Sequence, residues 1–430
     1  MVGGARAVAR CDVLGQAPYS DMAGGLYRGY LTPAYVAAQD ALAGWMAEAG
    51  MSVRRDPAAN LIGRYEGTDP AAPALLIGSH LDSVRDGGRY DGPLGIMLGV
   101  EAVAALHAAG RRMAFPIEVI AFGDEEGSRF PAAMLTSRAV AGTLDPAALE
   151  MADGEGVTLE AALLGLPPFV PSEVEGHARS AGASTSLGTN GYLGAVRTPG
   201  TARAYLETHI EQGPALEAAG HAIGTVTGIA AQLRDQARVT GIACHAGTAS
   251  IPLRRDALAG AAEMLLAIED IARRDASDLV ATVGKIEALP GAANVIPGEA
   301  RFTIDIRSGD AARRDRAASA ILARLRDIGK ARDLGFEATL IHDLPASPCD
   351  PALMDLIDDA TAAVGQPCHR LVSGAGHDAM VMAALCPTAM LFVRCKGGIS
   401  HNPAEHVDPA DTEIALQVML GFIERLGDAA

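Results

Sequence analysis

Two neighbouring stretches decide the fold: ALLIGSHLDSVRDGGRYDGPLGIMLGVEAVAALHAAG, residues 74–110, and IEVIAFGDEEG, residues 117–127. Residues 74–80 are an apolar run of strand length, ended by a loop rich in glycine and aspartate. From Pro93 to Gly110 the apolar character lasts too long for a strand and reads as a helix, and residues 117–123 are again an apolar strand. Strand, helix and strand in that order predict a parallel sheet flanked by helices. In such sheets ligands gather beyond the carboxyl ends of the strands. His80 and the run Asp124-Glu125-Glu126 both fall at such ends, so side chains distant in sequence should converge on one edge.

Further along, the rhythm changes. Between residues 230 and 344 it becomes strand (237–247), helix (253–274), strand (279–289), strand (300–308), helix (314–330) and strand (336–344). That is the β-α-β-β-α-β order of a ferredoxin-like unit. The first rhythm then resumes with a helix over 352–364, a strand over 388–395 and a closing helix over 412–426. The expected α/β architecture is a mixed, mainly parallel sheet with flanking helices, carrying an inserted ferredoxin-like α+β domain. Its boundaries are read as 1–214 and 345–430 for the sheet domain and 215–344 for the insertion. Residues 176–200, rich in Gly, Ser, Ala and Thr and without a period, read as a surface loop.

Charge narrows the function. With 35 Lys and Arg against 52 Asp and Glu, the net charge of −17 repels nucleic acid and anionic membrane surfaces. No stretch of membrane-spanning length and no signal-like start is present, so the cytoplasm is the default expectation. Six cysteines (Cys11, Cys244, Cys349, Cys368, Cys386, Cys395) lie scattered without a C-x-x-C pair, against both a thiolate zinc site and a disulfide framework. They read as small buried hydrophobes. An anionic substrate remains compatible where arginines, histidines or cations dominate a pocket.

The chemistry-bearing residues follow from the strand ends. On an extended segment His80 and Asp82 share a face, so Asp82 can fix the imidazole tautomer for metal binding, and Asp91 in the adjacent glycine-rich loop could bridge two cations. The packed acids after residue 123 would resist ionisation without a cation or solvent; one could ligate while its neighbour serves as a base. His209, in ETHIEQGP, and His401, in GGISHNP, each end an apolar, strand-like run. With His80, Asp91 and Glu126 they make a nitrogen and oxygen donor set suited to two divalent cations, zinc or manganese, with cobalt also accepted.

Seven segments carry a resemblance: GSHLDSVRDGGRYDG (78–92), FGDEEGSRF (122–130), ETHIEQGPALE (207–217), CHAGTASIPLRRDAL (244–258), NVIPGEARFTIDIRS (294–308), SGAGHDAM (373–380) and FVRCKGGISHNPAE (392–405). The chain resembles the allantoate amidohydrolase and N-carbamoyl-L-amino-acid hydrolase branch of the di-zinc aminoacylase and carboxypeptidase family, over nearly its whole length. The resemblance implies that His80, Asp91 and His209 hold one metal and that Asp91, Glu126 and His401 hold the other. It makes Glu125 the general base toward the attacking water. It further implies that His245, Asn294 and Arg307 bind the substrate carboxylate and polarise the scissile carbonyl, reaching the partner's site in a two-fold homodimer. Gln212 and His377 become substrate-contact candidates, although Gln212 could instead cap the turn at Pro214, and Asn402 and Pro403 should shape the loop of His401. Pro93, where many relatives carry valine or isoleucine, departs from the pattern and should stiffen the loop of Asp91.

The substrate expected on this basis is a small ureido carboxylate. Allantoate comes first, since GDEEGSRF and FVRCKGGISHNPAE resemble that group most, with N-carbamoyl-L-amino acids second and ureidoglycolate or β-ureidopropionate as neighbours. A metal-free binding protein that kept the fold is the alternative from another class. The presence of every implied ligand and of Glu125 speaks against it.

Overall fold

The computed structural model describes residues 3–169, 189–275 and 277–428, without the side chains of residues 189, 190 and 193. The chain divides into two compact units, one formed by Met1–Thr227, Cys349–Leu371 and Gly376–Ala430, the other by Gly228–Pro348 and Val372–Ala375.

At the centre of the larger unit lie four parallel strands: β1 (Ala74–His80), β2 (Ile117–Phe122), β3 (Ala202–Ile210) and β4 (Thr388–Val393), in the order β2-β1-β3-β4. Antiparallel strands extend both sides, Leu61–Tyr65 and Ser52–Arg55 beyond β2, and Ile223–Ile229 beyond β4. The sheet is therefore mixed, with its parallel part where the apolar runs predicted it. β1, β2 and β4 are buried at every residue, as expected of strands covered on both faces. Helix α1 (Pro93–Ala108) is buried on nearly all sides, which explains why its sequence has no polar stripe. Pro93 is the first residue of that helix, a position whose missing N–H costs nothing.

Register aligns the functional ends. His80 pairs with Phe122, and Phe392 pairs with His209, so all four strands expire at one edge. The loop after β1 must return directly into α1. It does so through Gly92, whose φ of 83° and whose absent Cβ, which would sit 2.4 Å from the His80 carbonyl oxygen, both require glycine.

The smaller unit has an antiparallel sheet, with Glu299–Ser308 and Ala231–Thr240 central and Gly335–Leu344 at one edge. Helices Ala257–Arg274 and Ala311–Ala331 pack on it through Ala261, Met264, Ile268, Ile321, Leu325 and Ile328. The β-α-β-β-α-β order is present, with two differences from the sequence reading. The first strand starts at Ala231 and ends at Thr240, and Cys244–His245 forms a separate short pair with Val295–Ile296. The strand expected over 279–289 is broken into Val280–Thr282 and Ile286–Leu289. Both pieces pair with Glu299–Ser308, but Thr282 opposes Asp305 while Ile286 opposes Phe302, so one extra residue is bulged between them.

The division between the units also falls elsewhere than at 214 and 344. Strand Ile223–Ile229 hydrogen-bonds to β4, which keeps the chain in the larger unit as far as Thr227, and Cys349 donates its N–H back to the Thr227 carbonyl. Of the stretch 176–200, residues 176–188 lie outside the described residues; Thr189–Tyr192 is helical rather than loop, with Tyr192 buried. Four of the cysteines are buried as expected, but Cys244 is partly exposed and Cys368 exposed, and all six are free. Among the described residues no helix is long and apolar enough to cross a membrane.

Candidate metal centre and catalytic residues

The edge formed by the strand ends brings His80, Asp91, Glu125, Glu126, His209 and His401 together. His80 Nδ1 lies 3.1 Å from the Asp82 carbonyl oxygen and His209 Nδ1 lies 2.9 Å from the Ile210 carbonyl oxygen. In its neutral form each ring therefore keeps its proton on Nδ1 and turns Nε2 inward. The two Nε2 atoms stand 3.4 Å apart, 3.5 Å and 3.1 Å from Asp91 Oδ1, and that oxygen, though buried, accepts no hydrogen bond among the described residues. With both rings neutral, these lone pairs repel one another unless a proton or a metal ion joins them, and against the effect of burial Asp91 raises the pKa of both rings when no metal is bound. This is the arrangement a metal ion fits.

The second oxygen of Asp91 faces elsewhere. Oδ2 is 3.2 Å from His401 Nε2, which is 3.4 Å from Glu126 Oε1. Ligand atoms of His80, Asp91 and His209, and separately of Asp91, Glu126 and His401, lie within 4.8 Å of one another, so Asp91 presents one oxygen to each set. A third grouping, His80 with Glu125 and Glu126, meets the same limit. The donors are nitrogen and carboxylate oxygen throughout, compatible with zinc or manganese.

Electrostatics mark the same place. Burial raises the Glu125 carboxyl well above the ordinary range, and Glu126 and Asp378 push it the same way. Burial and then Asp91 raise Glu126 to about 7. Burial opposes ionisation of Asp91, but its contacts to His209, His401 and His80 outweigh it and hold the carboxyl well below the usual range. His401 is raised to about 9, chiefly by its hydrogen bond to Asp91. A charge-dense cluster held out of water has to be neutralised from within, and perturbed groups of this kind gather at functional sites. Asp124, Gln212 and His401 all adopt φ between 54° and 57°, in the left-handed region uncommon outside glycine, as do Leu31, Ala59, Asp86, Met134 and Asp333 elsewhere in the chain.

Several expected roles fall on other atoms. His80 is held by the main-chain carbonyl of Asp82, not by its carboxylate, which stays 3.8 Å away and instead accepts the N–H groups of Glu125 at 3.2 Å and Glu126 at 3.3 Å. Asp82 thereby ties the end of β2 to the end of β1. Gln212 does not cap the turn at Pro214. Glu211 does, accepting the N–H groups of Ala215 and Leu216, while Gln212 Nε2 donates to Asp91 Oδ2 at 3.0 Å. His377 is 1% exposed and packs its ring 4.6 Å from that of His209. Asn402 accepts the Ala404 N–H and closes the turn after His401, as its place in the motif suggested.

In the smaller unit, His245 lies on the short two-stranded pair and Asn294 just before its second strand, both exposed, with the Asn294 carbonyl accepting the Ala246 N–H. His245 Nδ1 accepts the Gly247 N–H, which puts the ring proton of the neutral imidazole on Nε2. Arg307 is on a different strand, its Nε 2.7 Å from Asp305.

The sequence reading passed over three supports. Arg28, fully buried, donates Nε to the Leu81 carbonyl at 2.6 Å and Nη1 to the Leu14 carbonyl at 2.8 Å, holding the segment that follows His80. Glu207, on β3 two residues before His209, accepts from Ser79, Tyr205 and the Ala379 N–H. Glu405 reaches back to the loop of Asp91. Glu207 and Glu405 stand at the ends of the motifs that carry His209 and His401, whereas Arg28 stands in none.

The model of peptidase family M20/M25/M40 matches residues 76–425. The chain belongs to that family. Among M20/M25/M40 relatives, it is 40% identical to an N-carbamoyl-L-amino acid amidohydrolase of Geobacillus stearothermophilus over 99% of both chains. It is 38% identical to an allantoate deiminase of Arabidopsis thaliana, over 97% of this chain and 81% of that one. Among solved structures, an amidase of the hydantoinase/carbamoylase family from Burkholderia multivorans superposes with a TM-score of 0.88 at 33% identity, covering 99% of this chain and 98% of that one. The M20/M25/M40 match spans every donor described above, from His80 to His401.

Proposed function

We propose that this chain is a two-metal amidohydrolase that cleaves a carbon–nitrogen bond of a ureido carboxylate, with allantoate as the first substrate to expect. The observation that carries the reading is Asp91, whose two oxygens face two separate donor sets while the buried Glu125 stands beside both. His80, Asp91 and His209 would hold one cation and Asp91, Glu126 and His401 the other. The chemistry such cations supply when bound is polarisation of the scissile carbonyl and a lowered pKa for the attacking water. Glu125 takes the proton of that water and returns it to the leaving nitrogen. A carbamoyl group cleaved in this way leaves as carbamate, which breaks down to ammonia and carbon dioxide, so allantoate would give ureidoglycine.

Recognition of the substrate is assigned to His245, Asn294 and Arg307. The His245 tautomer donates from Nε2, as needed toward a developing oxyanion. Arg307 gives Nε and Nη2 to Asp305 and Nη1 to the Gly374 carbonyl, which fixes its plane and leaves one N–H on each Nη for a carboxylate. These groups are proposed to act on the partner's metal site within a cytoplasmic homodimer. Equal amounts of Glu125→Gln and Arg307→Ala chains, each inactive alone, should then regain about a quarter of the sites on random exchange, since each heterodimer holds one intact combination. Demonstrated exchange with no recovered activity would place Arg307 in cis.

One observation favours a second reading: the Geobacillus amidohydrolase matches over 99% of both chains. N-carbamoyl-L-amino acids would use the same metals and base, differing in the pocket for the rest of the molecule. Ammonia release from allantoate, ureidoglycolate, β-ureidopropionate and a series of N-carbamoyl-L-amino acids, run in parallel on metal-loaded protein, decides between them. The expected result is a kcat/KM for allantoate at least about tenfold above the rest, a difference of about 1.4 kcal/mol in transition-state binding. No release from any of them would remove the enzymatic reading.

A further inference from the structure

We infer that Glu405 is a positioning residue that locks the loop of Asp91 to the loop of His401 and so sets the spacing of the two proposed metal sites. The inference rests on the two-metal reading. Glu405 is 5% exposed and 314 residues from Asp91 in sequence, yet its Oε1 accepts the N–H of Tyr90 at 2.8 Å and that of Asp91 at 3.1 Å. Its other oxygen lies 3.1 Å from Ser400 Oγ, the residue just before His401, and the same hydroxyl lies 2.8 Å from Asp91 Oδ2. Backbone and side chain of Asp91 are thus tied to one carboxylate, directly and through Ser400.

Two features make this a built contact. The turn Asn402-Pro403-Ala404-Glu405, closed by the Glu405 N–H to the Asn402 carbonyl, returns Glu405 beneath the segment carrying His401. Across from it stands Gly88, where an added Cβ would lie 2.1 Å from the Glu405 Cδ, so the Asp91 loop approaches the carboxylate as closely as a backbone can. Both oxygens of Glu405 are engaged in these contacts, and none of the candidate donor groups includes it. Its part is to orient. Asp91 must offer Oδ1 to one set of donors and Oδ2 to the other, and a small rotation of its loop would spoil both. Hydrogen-bonded supports of this kind are commonly worth ten- to a hundredfold in metal affinity.

The test is metal affinity, measured by competition with a chromogenic chelator and independent of substrate. Folding is checked by thermal melting of the metal-free protein. Glu405→Ala should weaken metal binding by about ten- to a hundredfold. Glu405→Gln should recover most of that loss, because its amide oxygen accepts the same two N–H groups and its NH₂ faces Ser400. Gly88→Ala, which displaces the carboxylate without removing it, should match the alanine variant, and with Glu405→Gln it decides the matter should Glu405→Ala fail to fold. Wild-type affinity in Glu405→Ala or Gly88→Ala, or a glutamine variant as weak as alanine, overturns the inference and leaves the two-metal reading standing. A wild-type protein that takes up no metal overturns the reading itself.

Discussion

Glu125→Gln is expected to lower turnover by about 10²–10⁴-fold, the usual cost of losing a general base, while keeping two metal equivalents and near-normal KM. The amide has the shape of the carboxylate but cannot take a proton from water. The geometry makes the test sharper, because Glu125 also falls in a donor group with His80 and Glu126. As a ligand, its loss would release metal; as a base, it would not. Steady-state ammonia release together with elemental analysis of the dialysed protein separates the two. Retention of more than about a tenth of wild-type turnover sinks the assignment as base, and loss of a metal equivalent transfers Glu125 to the ligands. Its N–H is held by Asp82 at 3.2 Å, so the backbone that aims it is anchored independently of the carboxylate being changed.

The parallel core and the donor set were legible because both are written locally. β1, β2 and β4 are apolar at almost every position since both faces are covered; β1 ends on His80 and Asp124-Glu125-Glu126 follow closely on β2, whereas His401 lies in the loop beyond β4. Once strand ends are known to share an edge, a His at residue 80 and another at residue 209 need no further information to meet. The broken strand after Leu279 was not legible, because a bulge depends on the register of its partner. Nor was the start of strand Ala231–Thr240, where Gln232, Leu233 and Arg234 are all only partly buried and no apolar alternation announces a strand.

The supports were harder to read for a related reason. Arg28 and Glu405 act on segments 53 and 314 residues away, and nothing in their neighbours announces a partner. Asp82 stands beside His80 in sequence, but its carboxylate serves a different strand, since the main-chain carbonyl two residues on already satisfies the ring. Local pattern identifies which side chains carry chemistry. It does not say which hydrogen bonds hold them, because those are chosen by the tertiary fold among several acceptors of similar strength.

Asp91→Ala carries the other large expected effect: loss of both metal equivalents and of measurable activity. Every other proposed ligand serves one cation, so its removal would leave the opposite site with its donors. Asp91 serves both. With its carboxylate gone, the paired Nε2 atoms of His80 and His209, 3.4 Å apart, lose the negative charge that makes their site attractive to a cation, and His401 and Glu126 lose the oxygen between them. Gln212 and Ser400, which point donors at Asp91 Oδ2, would be left facing a void. The contrast is with His401→Ala, which should cost one equivalent, since His80, Asp91 and His209 remain intact and buried. Metal analysis after dialysis against a weak chelator distinguishes them: about two equivalents for wild type, one for His401→Ala and none for Asp91→Ala. Two full equivalents in Asp91→Ala would refute the bridge, and one equivalent would mean that Asp91 belongs to a single site, with its second oxygen held by Ser400 and Gln212 alone.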